Sequence, residues 1–129
     1  MAIFKVFKQR EWESFTQIGE FAGSADDQRD GFIHFSTESQ LAGTLNKYYN
    51  QESLIIIACM KDGDEARSSY HKALKWEASR GGQLFPHLYA HLYMQDIKAH
   101  WHLEKNTSES WMLDKISANL NIDFAPSDI

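Results

Sequence analysis

Leu54-Ile55-Ile56-Ile57-Ala58-Cys59-Met60 is an unbroken apolar run rich in β-branched residues. It is too short for a buried helix, and it lacks the alternation of a strand with one wet face. The run therefore predicts an interior strand buried on both faces. Such a strand needs neighbours on both sides and a layer over each face, and the flanking sequence supplies candidates. Upstream, Ile3–Phe7 predicts a first strand. Trp12, Phe15 and Ile18 recur at helical spacing from Glu11, with Gly19 placed as a stop. Phe32–Phe35 predicts a short strand. Thr37 followed by Gln40 writes a capping box for a helix that carries Leu41, Leu45 and Tyr48 or Tyr49 and closes near Asn50. Downstream, 61–64 reads as a turn, Glu65–Tyr70 as a brief helical turn, Leu74–Glu77 as a strand and Arg80-Gly81-Gly82 as a flexible turn. Phe85–Tyr89 is extended because Phe85 precedes a proline. Tyr93–Leu103 predicts one more strand, and Ser108–Leu120 a helix with Met112, Leu113, Ile116 and Leu120 on one side. Gly23–Gly31 reads as a long polar loop of the kind that lines sites. The sum is an α+β domain of five or six short strands with two or three helices.

The 129 residues allow one domain over 1–129, with a core to about residue 105 and a helical extension over about 108–120. With 43% hydrophobic, 13% aromatic and 24% charged residues, the chain falls outside the disordered and fibrous classes. Cys59 has no second cysteine to bridge to and lies inside the apolar run. It is expected to be a buried core thiol in a reducing, cytoplasmic setting. Thirteen basic against eighteen acidic residues give a formal charge of −5, and no Lys/Arg block stands out. Binding of nucleic acid by bulk charge is thereby disfavoured. No stretch approaches the ~20 apolar residues of a membrane span, so the protein is expected to be soluble, untargeted and without a membrane partner.

Three polar clusters sit in apolar surroundings. In Asp30-Gly31-Phe32-Ile33-His34-Phe35-Ser36-Thr37, alternation puts His34 and Ser36 on one strand face running into a helix N-terminus, where free N–H groups favour an anion. Ser36 and Thr37 also read simply as caps, and His34 as an interior histidine. In Trp76-Glu77-Ala78-Ser79-Arg80, Glu77 follows an interior-looking tryptophan. It reads either as a carboxylate on a pocket wall or as a solvent-facing residue of an edge strand. In Phe85-Pro86-His87-Leu88-Tyr89, the proline fixes the chain just before His87, which suits a working imidazole and equally a structural one. His100 and His102 share a strand face, but no third metal ligand lies near in sequence, and a solvated face is the plainer reading. HExxH, CxxC, GxGxxG, GxxxxGK and GxSxG are all missing.

Read in order, Gly23-Ser24-Ala25-Asp26-Asp27, then Asp30–Thr37 with Gln40, then Lys75-Trp76-Glu77, then Phe85–Tyr89 closely resemble the bacterial domain of unknown function 952 family. The resemblance is collinear from Ile3 to about Tyr93. It implies a fold similar to the ADP-ribosyltransferases: a split mixed sheet with flanking helices that holds NAD between its halves. A looser likeness joins Phe4–Phe7, Trp12, Gly19-Glu20-Phe21 and Phe32–Ser36 to the catalytic half of the RNA 2′-phosphotransferases. There the first strand has His-Gly where this chain has Lys5-Val6, the first histidine of a pair is Phe32 here, and an arginine just before it has no counterpart.

The resemblance implies an ADP-ribosyltransferase-like enzyme acting on NAD or a related nucleotide, with no metal expected. Glu77, His34 and His87 are then the candidate catalytic residues. Lys5, His34, Ser36, Thr37, Trp76 and Tyr89 are candidates for holding the nucleotide. Two other classes stay open: a binding module that keeps the cleft without the reaction, and a metal-dependent hydrolase using His34, Glu77 and His87 as ligands. The enzymatic reading requires these three residues, far apart in the chain, to meet around one cavity.

Overall fold

The computed structural model describes residues 2–106 and 108–111. The elements are β1 (Ile3–Lys8), α1 (Gln9–Ile18), β2 (Glu20–Phe21), α2 (Ala25–Asp30), β3 (Ile33–His34), β4 (Ser36–Thr37), α3 (Glu38–Tyr48), β5 (Leu54–Met60), α4 (Ser68–Ala73), β6 (Leu74–Ala78), β7 (Leu84–Leu88), β8 (Leu92–Tyr93) and β9 (Ile97–Glu104). They build a four-stranded sheet ordered β4-β1-β5-β9, a three-stranded sheet ordered β3-β7-β6 and the small pair β2-β8.

The apolar run is the interior strand its composition demands. β5 pairs with β1 on one side and β9 on the other. Its alternate residues enter two separate cores: Ile56, Ala58 and Met60 pack with Phe7, Trp12, Phe15 and Leu88, while Ile55, Ile57 and Cys59 pack with Phe4, Leu41, Leu45 and Trp101. Burial of each isoleucine contributes roughly 1.5–3 kcal/mol. Burial also pushes the Cys59 thiol up to about 11, so it sits in the core as an unreactive group.

Several expectations change. The polar stretch Gly23–Gly31 contains a helix, α2, with Ser24 as its N-cap and Gly31, at φ +88°, ending it. It lacks an apolar stripe because the residue it buries is Asp27. Ile18 is 70% exposed although Trp12 and Phe15 are buried. Each step of three residues falls about 60° short of a full turn, so the third member of the series rotates off the core face. The strand expected over Tyr93–Leu103 is two strands. A short 3-10 turn, Met94–Asp96, interrupts it, built on buried Asp96, which accepts the Tyr93 N–H at 2.8 Å and two Arg67 N–H groups at 2.6 and 2.8 Å. Every pairing among the described residues is antiparallel, so the sheets are not mixed in direction. An antiparallel neighbour runs back from the end at which its partner leaves, whereas a parallel neighbour would need a crossover to the opposite end. The helix expected over Ser108–Leu120 lies mostly outside the described residues, and Ser108–Trp111 are not helical. Trp111 is instead clamped against α3: the Asn46 amide bonds its N–H and C=O at 2.7 and 3.0 Å, and its indole N–H donates to Tyr49 O at 2.9 Å. No described helix is long and apolar enough to cross a membrane.

The site depends on one passage. Residues 33–37 run extended from β3, paired with β7, into β4, paired with β1. At the changeover the Phe35 N–H donates to Pro86 O at 3.0 Å. The chain thus stitches the two larger sheets together, and a cleft opens beside the stitch.

Candidate functional site

The cleft has a volume of about 280 Å³ and is lined from both larger sheets, from α2 and α3, and from the segment after β6. Its wall includes Lys5, Asp27, Asp30, His34, Ser36, Thr44, Arg80 and His87.

Backbone pairing brings the two imidazoles together. His34 on β3 registers directly opposite His87 on β7. Directly opposed residues on one sheet face lie about 5 Å apart, and the ring centroids are 5.5 Å apart, edge to face. Phe32 covers both, stacked on His87 at 4.0 Å and tilted over His34 at 4.6 Å.

Each imidazole is held by carboxylates. Asp27 accepts His34 Nδ1 at 2.6 Å and the His34 N–H at 3.1 Å on one oxygen, and Lys5 Nζ and the Ser24 N–H, both at 2.8 Å, on the other. Burial alone would push the Asp27 carboxyl up. The Lys5 ammonium, with the bonds from His34 and Ser24, overcomes this and holds it well below the usual carboxylate range. The second His34 nitrogen, Nε2, lies 3.0 Å from Asp30 Oδ2. Asp30 is itself held low, first by its hydrogen bond from Arg29. On the other strand, Glu77 Oε1 accepts the Tyr89 hydroxyl at 2.7 Å and His87 Nδ1 at 2.8 Å. These two bonds, Tyr89 first, lower the Glu77 carboxyl, so it is an acceptor. In the neutral ring, a proton on Nδ1 facing this acceptor leaves the lone pair on Nε2. That Nε2 is buried and has no hydrogen-bond partner among the described residues.

The expected residues fall into two groups. His34, His87, Lys5 and Ser36 line the cleft, and Glu77 joins them at one remove through His87. Lys5, buried on the cleft wall, spends two of its three N–H donors inside the protein, with Nζ donating to Asp27 and to His34 O at 3.0 Å. Ser36 Oγ is 2.9 Å from Thr44 Oγ1 on α3. Thr37, Trp76 and Tyr89 lie off the cleft wall. Trp76 points to the opposite face of β6 from Glu77, because successive strand residues alternate. Thr37 heads α3, its N–H donating to Gln40 Oε1 at 3.0 Å. Tyr89 stands half-exposed beside Glu77.

Sequence reasoning missed Asp27, Asp30 and Arg80 as wall residues. For Asp27 a signal exists: serine followed three residues later by an acid is the spacing of a capping box, and here the same carboxylate closes the cap and anchors Lys5 and His34. Arg80 carries no local signal, since its hydroxyl contact, Thr44, is 36 residues away in the chain. His100 and His102 do face one way, with His100 tilted on Trp12 at 4.7 Å. Among the described residues no group of three His, Cys, Asp or Glu side chains is arranged to hold a metal ion.

The resemblance rested on the blocks Gly23–Asp27, Asp30–Thr37 with Gln40, Lys75–Glu77 and Phe85–Tyr89, and comparison with known families agrees on the family. The family described as a protein of unknown function (DUF952) matches residues 6–100. The chain belongs to this family. Among solved structures, the crystal structure of protein CC0527 from Caulobacter crescentus has 31% identity and a TM-score of 0.78, covering 91% of this chain and 99% of that one. The solution NMR structure of the same protein has 32% identity and a TM-score of 0.74, covering 88% and 94%. No curated protein matches the chain. The DUF952 chain thus shares its fold with CC0527 over about nine-tenths of its length, and its described residues form an α+β arrangement of open antiparallel sheets.

Proposed function

We propose that this DUF952 protein is an ADP-ribosyltransferase-like enzyme that takes NAD or a related nucleotide into the cleft between its sheets. The observation that carries the reading is the meeting of His34 and His87 across one strand pair on the cleft wall, each ring oriented by a carboxylate. Small-molecule sites run from roughly 300 to 1,000 Å³. A cleft of about 280 Å³ suits one half of a dinucleotide, with the other half toward the mouth.

Cleaving a nicotinamide glycosidic bond makes the ribose C1′ cationic as the neutral base leaves, and the attacking hydroxyl must then lose a proton. A carboxylate beside the ribose and a base near the nucleophile are the requirements. Asp30, ionised and on the wall beside His34, fills the first role. His87 fills the second through Nε2, with Glu77 as a positioning residue that fixes the tautomer rather than touching substrate.

A binding module without the reaction is the second reading. It is favoured by the position of Glu77 off the cleft wall and by the engagement of Lys5 with Asp27. Thermal melts and nicotinamide release separate the two. At 5 mM ligand and a Kd near 0.1 mM, mass action stabilises the fold by about 2 kcal/mol, a Tm rise of roughly 5–10 °C for a domain of this size. Binding with nicotinamide release that drops about 100-fold or more in Asp30→Asn supports the enzyme. Binding with no release supports the module, and no Tm change with NAD or ADP-ribose defeats both.

A further inference from the structure

The wall of the cleft carries four cations, Lys5, Lys8, Arg29 and Arg80, and two of them are neutralised. Lys5 is paired with Asp27, and Arg29 with Asp26 and Asp30. Arg80 is different. It stands on the short turn after β6, and among the described residues no carboxylate lies within ion-pair distance of it. Its guanidinium lies over the Phe85 ring at 4.9 Å, and its two terminal nitrogens each make one long contact, 3.4 Å, to the same acceptor, Thr44 Oγ1. A guanidinium has five N–H donors in a rigid fork, so among the described residues most of its donors meet no acceptor. Helix α3 leaves room for it. Gly43 faces the fork, and a Cβ there would lie 3.1 Å from an Arg80 terminal nitrogen. Next to the fork, the hydroxyls of Thr44 and Ser36 touch each other at 2.9 Å. Arg80, Thr44 and Ser36 all line the cleft.

We propose that Arg80 is the anion-binding residue of this cleft and that the ligand reaches it with a phosphate or pyrophosphate group, held by the guanidinium fork and the Ser36 and Thr44 hydroxyls. The fork matches two oxygens of one phosphate, while the hydroxyls donate to a third oxygen or to a bridging one. Contact with Phe85 and the close approach to Gly43 restrict the guanidinium, which lowers the ordering cost of binding. The inference deepens the nucleotide reading but does not require a dinucleotide, because any phosphate ester of suitable size presents the same group.

Calorimetric titration of ADP-ribose, inorganic pyrophosphate and adenosine into wild type, Arg80→Gln, Arg80→Lys and Gly43→Ala tests it. Wild type should bind ADP-ribose and pyrophosphate with affinity that falls as salt rises. Arg80→Gln should weaken both by about 10–100-fold, and Arg80→Lys should restore only part of the loss, since it keeps the charge without the fork. Gly43→Ala, which crowds the fork and leaves the charge, should weaken pyrophosphate several-fold and so tests the site even if Arg80→Gln folds poorly. Adenosine binding should not change. ADP-ribose and pyrophosphate affinities within twofold of wild type in Arg80→Gln and Gly43→Ala overturn the assignment while leaving the nucleotide reading in place. Pyrophosphate bound through Arg80 with no added affinity for ADP-ribose supports the assignment and defeats the nucleotide reading. Wild type that binds neither phosphate compound defeats both.

Discussion

Asp27 is the residue on which fold and site both depend, and its replacement gives a sharp prediction. Its side chain is 2% exposed, and it neutralises a Lys5 side chain that is 4% exposed. Asp27→Ala leaves that ammonium buried and unpaired and opens the Ser24 cap. Breaking a buried pair from one side costs about 3–5 kcal/mol. Against a total stability of roughly 5–15 kcal/mol, this lowers Tm by about 10–20 °C and the urea midpoint by roughly 2 M. Urea unfolding at pH 7, followed by tryptophan fluorescence, measures it. Lys5→Met combined with Asp27→Leu removes both charges and should recover most of the loss, since an apolar pair of similar volume is often neutral. The pH dependence has a definite sign. The folded carboxyl is held below its unfolded value near 4. Its contribution is therefore fully present above about pH 5 and is lost as pH falls through 4 toward the depressed folded value. A loss under about 1 kcal/mol in Asp27→Ala, or single-variant costs that simply add in the double variant, would refute the reasoning.

Gly23 has φ +115°, and a Cβ there would lie 2.7 Å from Asp27 Cβ, whereas Gly19 has φ +86° and open space around it. Gly23→Ala should therefore cost about 2–3 kcal/mol and Gly19→Ala about 1, and equal costs in thermal melts would show that the approach to Asp27 is unimportant. Asn46→Ala removes both backbone bonds that hold Trp111 and should cost about 1–3 kcal/mol in urea unfolding; an unchanged midpoint would contradict the clamp. Cys59, with its thiol raised to about 11 by burial, should react with a thiol reagent at pH 8 only as fast as the chain opens. Labelling should accelerate steeply with urea, and fast labelling in buffer alone would contradict the packing.

How far the fold is legible varies with the kind of signal each segment carries. β5 spans the residues its apolar run predicts, because a run with no polar residue has one place to go. α3 begins at the Thr37–Gln40 box and buries Leu41 and Leu45, since capping and helical periodicity are written in adjacent residues. α2 breaks the rule that helices show an apolar stripe: its inward residue is an aspartate, and only the lysine and histidine awaiting it in the fold make burial of that charge favourable. In the site, alternation placed His34 and Ser36 on one strand face, but it did not tell which side Glu77 takes or that His34 and His87 meet.

What the sequence determined alone is therefore local: the interior strand, the capped helix, the proline-fixed histidine, and the family these blocks mark. What only the tertiary structure decided is the pairing of His34 with His87 across 53 positions and the approach of Arg80 to α3. It also decided that Lys5 is paired with Asp27. Local signals arise from backbone sterics and near-neighbour hydrogen bonds, which adjacent residues encode. Strand partners and buried charge pairs are chosen by which distant surfaces exclude water together, and that choice belongs to the whole chain.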